Sequence, residues 1–198
     1  MFTPLVFASI LPEILILALA ILILIFEPFW KNDEQHRYAG WLTAGGLFLA
    51  MIVSLLFGRP GDPVTVLGGT IRFDWLGFFF KMLFMFAAAA TALLLMDHER
   101  AGNRGETYVL LLASLLGMNL MAVSSDLIML YLAIETASIP LYVLAGFLVS
   151  DERSTEAGFK YLLFGIVAST VMLYGFSLMY GFTGTTNLYE IADAFASG

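Results

Sequence analysis

"YLAIETASIPLYVLAGF", residues 131–147, is apolar almost throughout, yet it holds a carboxylate at Glu135 and a proline at Pro140. A charge is expensive inside a hydrophobic helix, and a proline removes one of the helix's internal hydrogen bonds. The segment is therefore either a soluble core helix with an odd Glu or a membrane helix with a use for it.

The rest of the chain decides between these. Of 198 residues 60% are apolar and 13% charged, and the mean hydropathy is +0.89. A soluble domain carries about 25% charged residues. Phe alone occurs 18 times, more than a soluble core of this length would bury. The composition predicts an all-α membrane protein whose first partner is the lipid bilayer. With no Cys, disulfides, thiolate metal sites and iron–sulfur ligation drop out. The net charge of −7 and nine scattered Lys and Arg leave no basic stripe, so no nucleic-acid partner is expected.

Crossing a hydrocarbon core takes roughly 20 apolar residues as helix. Six runs qualify, at about 5–26, 38–57, 76–96, 107–123, 127–149 and 157–180, in a single membrane domain. The first has no basic residue before it and is about 22 residues long, so it is expected to be a retained span rather than a cleaved signal. Lys31, Arg37, Arg100, Arg104 and Arg153 fall in loops 1, 3 and 5, against Arg59 and Arg72 on the other side. That imbalance puts loops 1, 3 and 5 in the cytoplasm and the N-terminus outside. Within loop 58–75, "PVTVLGGTIRFDW" alternates polar and apolar residues around Gly68-Gly69, which predicts a small external β-hairpin. An isolated hairpin is marginal, so it should lean on helix ends or a partner.

Four ionisable residues fall inside the spans. Glu135 lies eight residues past the start of its span, about 12 Å along the axis and near the midplane. Tyr131, Ser138 and Tyr142, at i−4, i+3 and i+7, line up hydroxyls on its face, which suits a hydrated path or proton relay. The alternative is a protonated Glu hydrogen-bonded to a neighbouring helix. Pro140 frees the carbonyl of Thr136 and would kink the helix beside Glu135; an ordinary membrane kink is the competing reading. Lys160, just inside the sixth span, either snorkels, pairs with Glu156 one turn back, or takes part in proton transfer. Glu13 and Lys81 lie within two or three turns of the external ends and are expected to be interfacial or structural. Asp126 has the place of an N-cap for the fifth span. Gly165 and Ser169 form a small-xxx-small pair for close helix contact.

No phosphate loop, dinucleotide fingerprint or HExxH motif is present, and both His, His36 and His98, fall in loops. No cofactor is expected in this chain, which leaves charge movement through the membrane.

Residues 131–192 carry an E-x-x-S-x-P-L-Y-V-L span, a D-E-R-S-x-E-A-x-x-K-Y entry and an L-Y-G…Y-G-x-T-G-T run. Together they resemble subunit N of bacterial NADH:quinone oxidoreductase, respiratory complex I. "LPEI" in the first span and "FDWLGFFFK" before the third are similar to the same family. The resemblance implies an antiporter-like subunit of about fourteen helices in two inverted repeats. It implies a role in redox-coupled proton translocation, with a Glu on the fifth helix facing a Lys on a broken seventh. Glu135 falls on that Glu position, and Lys160 matches a Lys at the start of the sixth helix. Flavin, iron–sulfur and quinone sites are then expected in partner subunits, and the other membrane-arm subunits as neighbours, in a bacterial inner membrane. The family's seventh helix would lie past Gly198, in a longer chain or in a second one carrying the remaining helices. The alternatives are a subunit of a multi-chain cation/proton antiporter or membrane-bound hydrogenase, and a purely structural half-subunit.

Overall fold

In lipid, a long apolar run can satisfy its backbone only within itself, so it becomes helix, and the chain has this form. The computed structural model describes residues 4–29, 33–98, 102 and 104–197. Lys31 and Arg100, counted above for orientation, lie outside the described residues, as does the side chain of His36.

The helices are α1 (Pro4–Ser9), α2 (Leu11–Phe26), α3 (Asp33–Phe57), α4 (Trp75–Leu95), α5 (Gly105–Val123), α6 (Leu127–Ala145), α7 (Glu152–Thr183) and α8 (Leu188–Ser197). Among the described residues, six stretches are long and apolar enough to cross a membrane: Leu11–Phe29, Arg37–Phe57, Trp75–Leu95, Gly105–Val123, Leu127–Ala145 and Glu152–Thr183. The protein is an integral, multi-pass membrane protein with an all-α body.

Several helix ends differ from the sequence expectation, each for a local reason. The first run is divided at Ile10, and α2 starts afresh with Pro12 in its first turn, where a missing N–H costs nothing. Helix α6 stops at Ala145, before Gly146, rather than at 149. Helix α7 starts at Glu152 because the Asp151 side chain accepts from Arg153 N–H at 3.0 Å. It ends where Gly184 turns left-handed at φ 73°.

Four helices, α2 to α5, share one apolar core built from residues such as Ile23, Leu47, Met85, Leu112 and Leu115. Helix α5 is its axis, packed against α2, α3 and α4 on one side and α6 on the other. Helix α7 lies along α6, and Gly158 is its one buried residue.

The hairpin joins β1 (Val64–Val66) antiparallel to β2 (Ile71–Phe73), with Val64 opposite Phe73 and Val66 opposite Ile71. A short 3₁₀ turn, Leu67–Gly69, connects them, and Gly68 and Gly69 take the positive φ the turn requires. The hairpin leans on the elbow between α5 and α6. Ser125 N–H donates to Thr70 C=O at 3.0 Å, and Ser125 Oγ donates to Gly69 C=O at 2.7 Å. The segment after α7 closes on the same elbow: Leu127 N–H donates to Thr186 C=O at 2.8 Å and Leu188 N–H to Ser125 C=O at 3.0 Å.

Candidate functional site

Glu135 stands in α6 where α5 comes closest. A Cβ added to Gly117 would meet Ala137 N at 2.2 Å and Ala133 C=O at 2.8 Å, so the two backbones touch on either side of the Glu135 turn. Helix α6 begins from a strong cap: Asp126 Oδ1 accepts from Ile128 N–H at 2.9 Å and Met129 N–H at 3.2 Å, as the sequence predicts. Its other oxygen takes the hydroxyl of Thr186.

Glu135 is half-buried, and its Oε1 is buried with no hydrogen-bond partner. An unmet buried polar atom costs about 1–3 kcal/mol, so this carboxyl oxygen calls for a partner. The three hydroxyls expected on its face separate. Ser138 Oγ donates to Ile134 C=O of its own helix at 2.8 Å. Tyr131 lines a cavity of about 460 Å³ between α6 and α7, with Leu173, Phe176, Ser177 and Tyr180. Tyr142 leans onto α7, its ring 4.7 Å from that of Tyr161. Its hydroxyl occupies the space left by Gly165, where a Cβ would meet it at 2.1 Å. The small residue foreseen at Gly165 thus receives an aromatic side chain.

Pro140 is buried within α6, which runs through it without a break in helix. Lys160 is exposed and bonded to Glu156 one turn back. The antiparallel register of α6 and α7 follows from Gly146 against Gly158 and Tyr142 against Gly165. By that register Lys160 is roughly 15 Å along the axis from the level of Glu135. The fold does not bring the two together; Ser169 and Thr170 stand at the level of Glu135 instead.

The other two intramembrane charges do meet. Lys81 Nζ is 2.8 Å from Glu13 Oε1, and the pair is almost fully enclosed. Lys81 also donates to Ser9 C=O at 2.9 Å. In the sequence each stands alone as an interfacial charge, and the signal for their pairing is the similar depth both have from the same face.

With this geometry in place, known proteins bear on it. Residues 124–198 match the family model described as NADH:quinone oxidoreductase/Mrp antiporter, TM. The chain is 36% identical over 184 residues to NADH-quinone oxidoreductase subunit N of Geobacillus sp., covering 91% of this chain and 37% of that protein. Subunit N of Moorella thermoacetica is 41% identical over 187 residues, covering 93% and 38%. Among solved structures, respiratory complex I from Thermus thermophilus with bound aureothin matches with a TM-score of 0.72 and 30% identity, over 89% of this chain and 38% of that one. An archaeal membrane-bound sulfane sulfur reductase shares the fold, with a TM-score of 0.65 at 23% identity. The fold is antiporter-like, and the chain is similar to the N-terminal part of subunit N. It spans about two-fifths of the length of the curated relatives it matches.

Proposed function

We propose that this chain serves a membrane-arm subunit of an NADH:quinone oxidoreductase and contributes to redox-coupled proton translocation, with Glu135 as the protonatable group on its path. The observation that carries this is the Glu135 carboxyl: mid-span, half-buried and with one oxygen unmatched. Keeping such a group costs about 2.5–3.5 kcal/mol on insertion scales, a cost that a proton-carrying role explains. The similarity to subunit N over nine-tenths of the chain supplies the redox setting. Tyr131, Ser138 and Tyr142 are the path's neighbouring hydroxyls, Pro140 sets the helix shape beside it, and Lys160 serves proton entry near the start of α7. The subunit itself holds no redox centre in this proposal; flavin, iron–sulfur and quinone chemistry belongs to partner subunits. The membrane is a bacterial inner membrane, with the hairpin end outside.

The test is Glu135→Gln in the assembled complex, with proton pumping and quinone reduction measured together. Loss of pumping at retained assembly is expected; unchanged pumping per electron rules the role out. A second reading, a subunit of a multi-chain cation/proton antiporter, has support from the family description, which names both groups. Purification of the complex separates them: flavin and iron–sulfur subunits accompany this chain in the first case and are missing in the second.

A further inference from the structure

We propose that Glu13, Lys81 and Asn119 form a second buried polar site, between α2, α4 and α5, and that this site binds water. It is separate from Glu135 and independent of the role given to that residue.

Three helices converge there. A Cβ on Gly105 would meet Glu27 Cδ at 2.7 Å, which fixes the register of α5 against the α2 end. A Cβ on Gly77 would meet Val123 Cγ1 at 2.6 Å, which fixes α5 against α4. Counted along the helices from these contacts, Asn119 stands level with Glu13 on one side and with Lys81 on the other. Asn119 shares the face of Leu112 and Leu115, which pack into the common core of α2 to α5. Its side chain thus belongs to the layer that holds the ion pair.

The polar groups of this layer are left short. Asn119 is 0% exposed, and neither its amide nitrogen nor its amide oxygen has a hydrogen-bond partner. Glu13 is 7% exposed, and neither of its oxygens receives a well-directed hydrogen bond, even though Lys81 lies at ion-pair distance. A dry amide would forfeit about 1–3 kcal/mol for each unmet group, and a half-satisfied network is worse than an apolar core. Water resolves this, because one molecule offers donors to Glu13 and to the Asn119 oxygen and accepts from the Asn119 N–H. Room is present: a cavity lined by Ser9, Pro12, Phe73, Lys81 and Val123 has a volume of about 10 Å³. That is about the space one water needs. Val123 is one turn from Asn119 on α5, so this room lies beside Lys81, one turn toward the hairpin from the level of the amide. Water at this place stands beside Lys81 and Phe73 of β2.

Two measurements on the complete, assembled complex test the site. In a high-resolution density map, ordered water is expected within about 3.2 Å of the Asn119 amide and of the Glu13 carboxylate. Asn119→Leu is expected to lower the thermal dissociation midpoint, because it removes the partner of a bound water and strands the ion pair. A map with an empty gap overturns the proposal. So does an Asn119→Leu midpoint that is unchanged or raised, since leucine in place of a dry, unpaired amide relieves two unmet groups. Where Asn119→Leu fails to assemble, Asn119→Ser decides: it leaves space for water and should keep both assembly and the density, whereas loss of the density overturns the site.

Discussion

A Cβ on Gly117 would stand 2.2 Å from the backbone nitrogen of Ala137, so α5 and α6 meet backbone to backbone at the turn that presents Glu135. The obstacle is main chain and cannot swing aside. Gly117→Ala therefore has to push the helices apart, at a cost of about 1–3 kcal/mol as for overpacked cores. A lower thermal midpoint of the purified protein, together with altered proton pumping by the complex, is the expected outcome.

Gly165 provides the contrast. There a Cβ meets the Tyr142 hydroxyl at 2.1 Å, the far end of a side chain that can turn away. Gly165→Ala should destabilise less than Gly117→Ala. Tyr142→Ala combined with Gly165→Ala should cost less than the sum of the two changes, because both act on one contact. Midpoints of the four species give the coupling directly.

Asp126 holds two things at once: the first turn of α6 and the Thr186 hydroxyl. Asp126→Ala loses a cap worth about 0.5–2 kcal/mol and releases the segment after α7. Hydrogen exchange should accelerate at Leu127 and Leu188, whose N–H groups bridge the elbow and that segment, and stay unchanged at the core of α5.

Lys160→Met is expected to leave stability within about 0.5 kcal/mol of the parent, because an exposed i,i+4 pair contributes no more than that. Any loss of pumping by this variant at normal assembly then reports the role of Lys160 in proton entry. Unchanged pumping removes it from the path.

What the sequence made legible followed from local rules. Span number came from apolar length, the hairpin from Gly68-Gly69, and the α6 start from Asp126, since each depends on neighbours within a few residues. The Glu13–Lys81 contact was not legible in the same way. Two charges on distant spans carry no local mark of pairing, and only the packing of α2 and α4 against the same neighbours, α3 and α5, joins them. The face of Glu135 shows a different limit. Helical spacing placed Tyr131, Ser138 and Tyr142 along one stripe, but the partner each hydroxyl chose depended on α7 and on the helix's own carbonyls. The Gly146–Gly158 contact joins two different helices, so no spacing within either one marks it.

Helix α7 is fastened to α6 at three places: the glycine contact at Gly146 and Gly158, the Tyr142 side chain laid against Gly165 and Tyr161, and the Thr186 strap to Asp126 and Leu127. Between the last two the helices part around the space that Tyr131 lines. A rod pinned on both sides of an unsupported length cannot swing like a door, so that opening stays bounded above and below by contacts that fix its size.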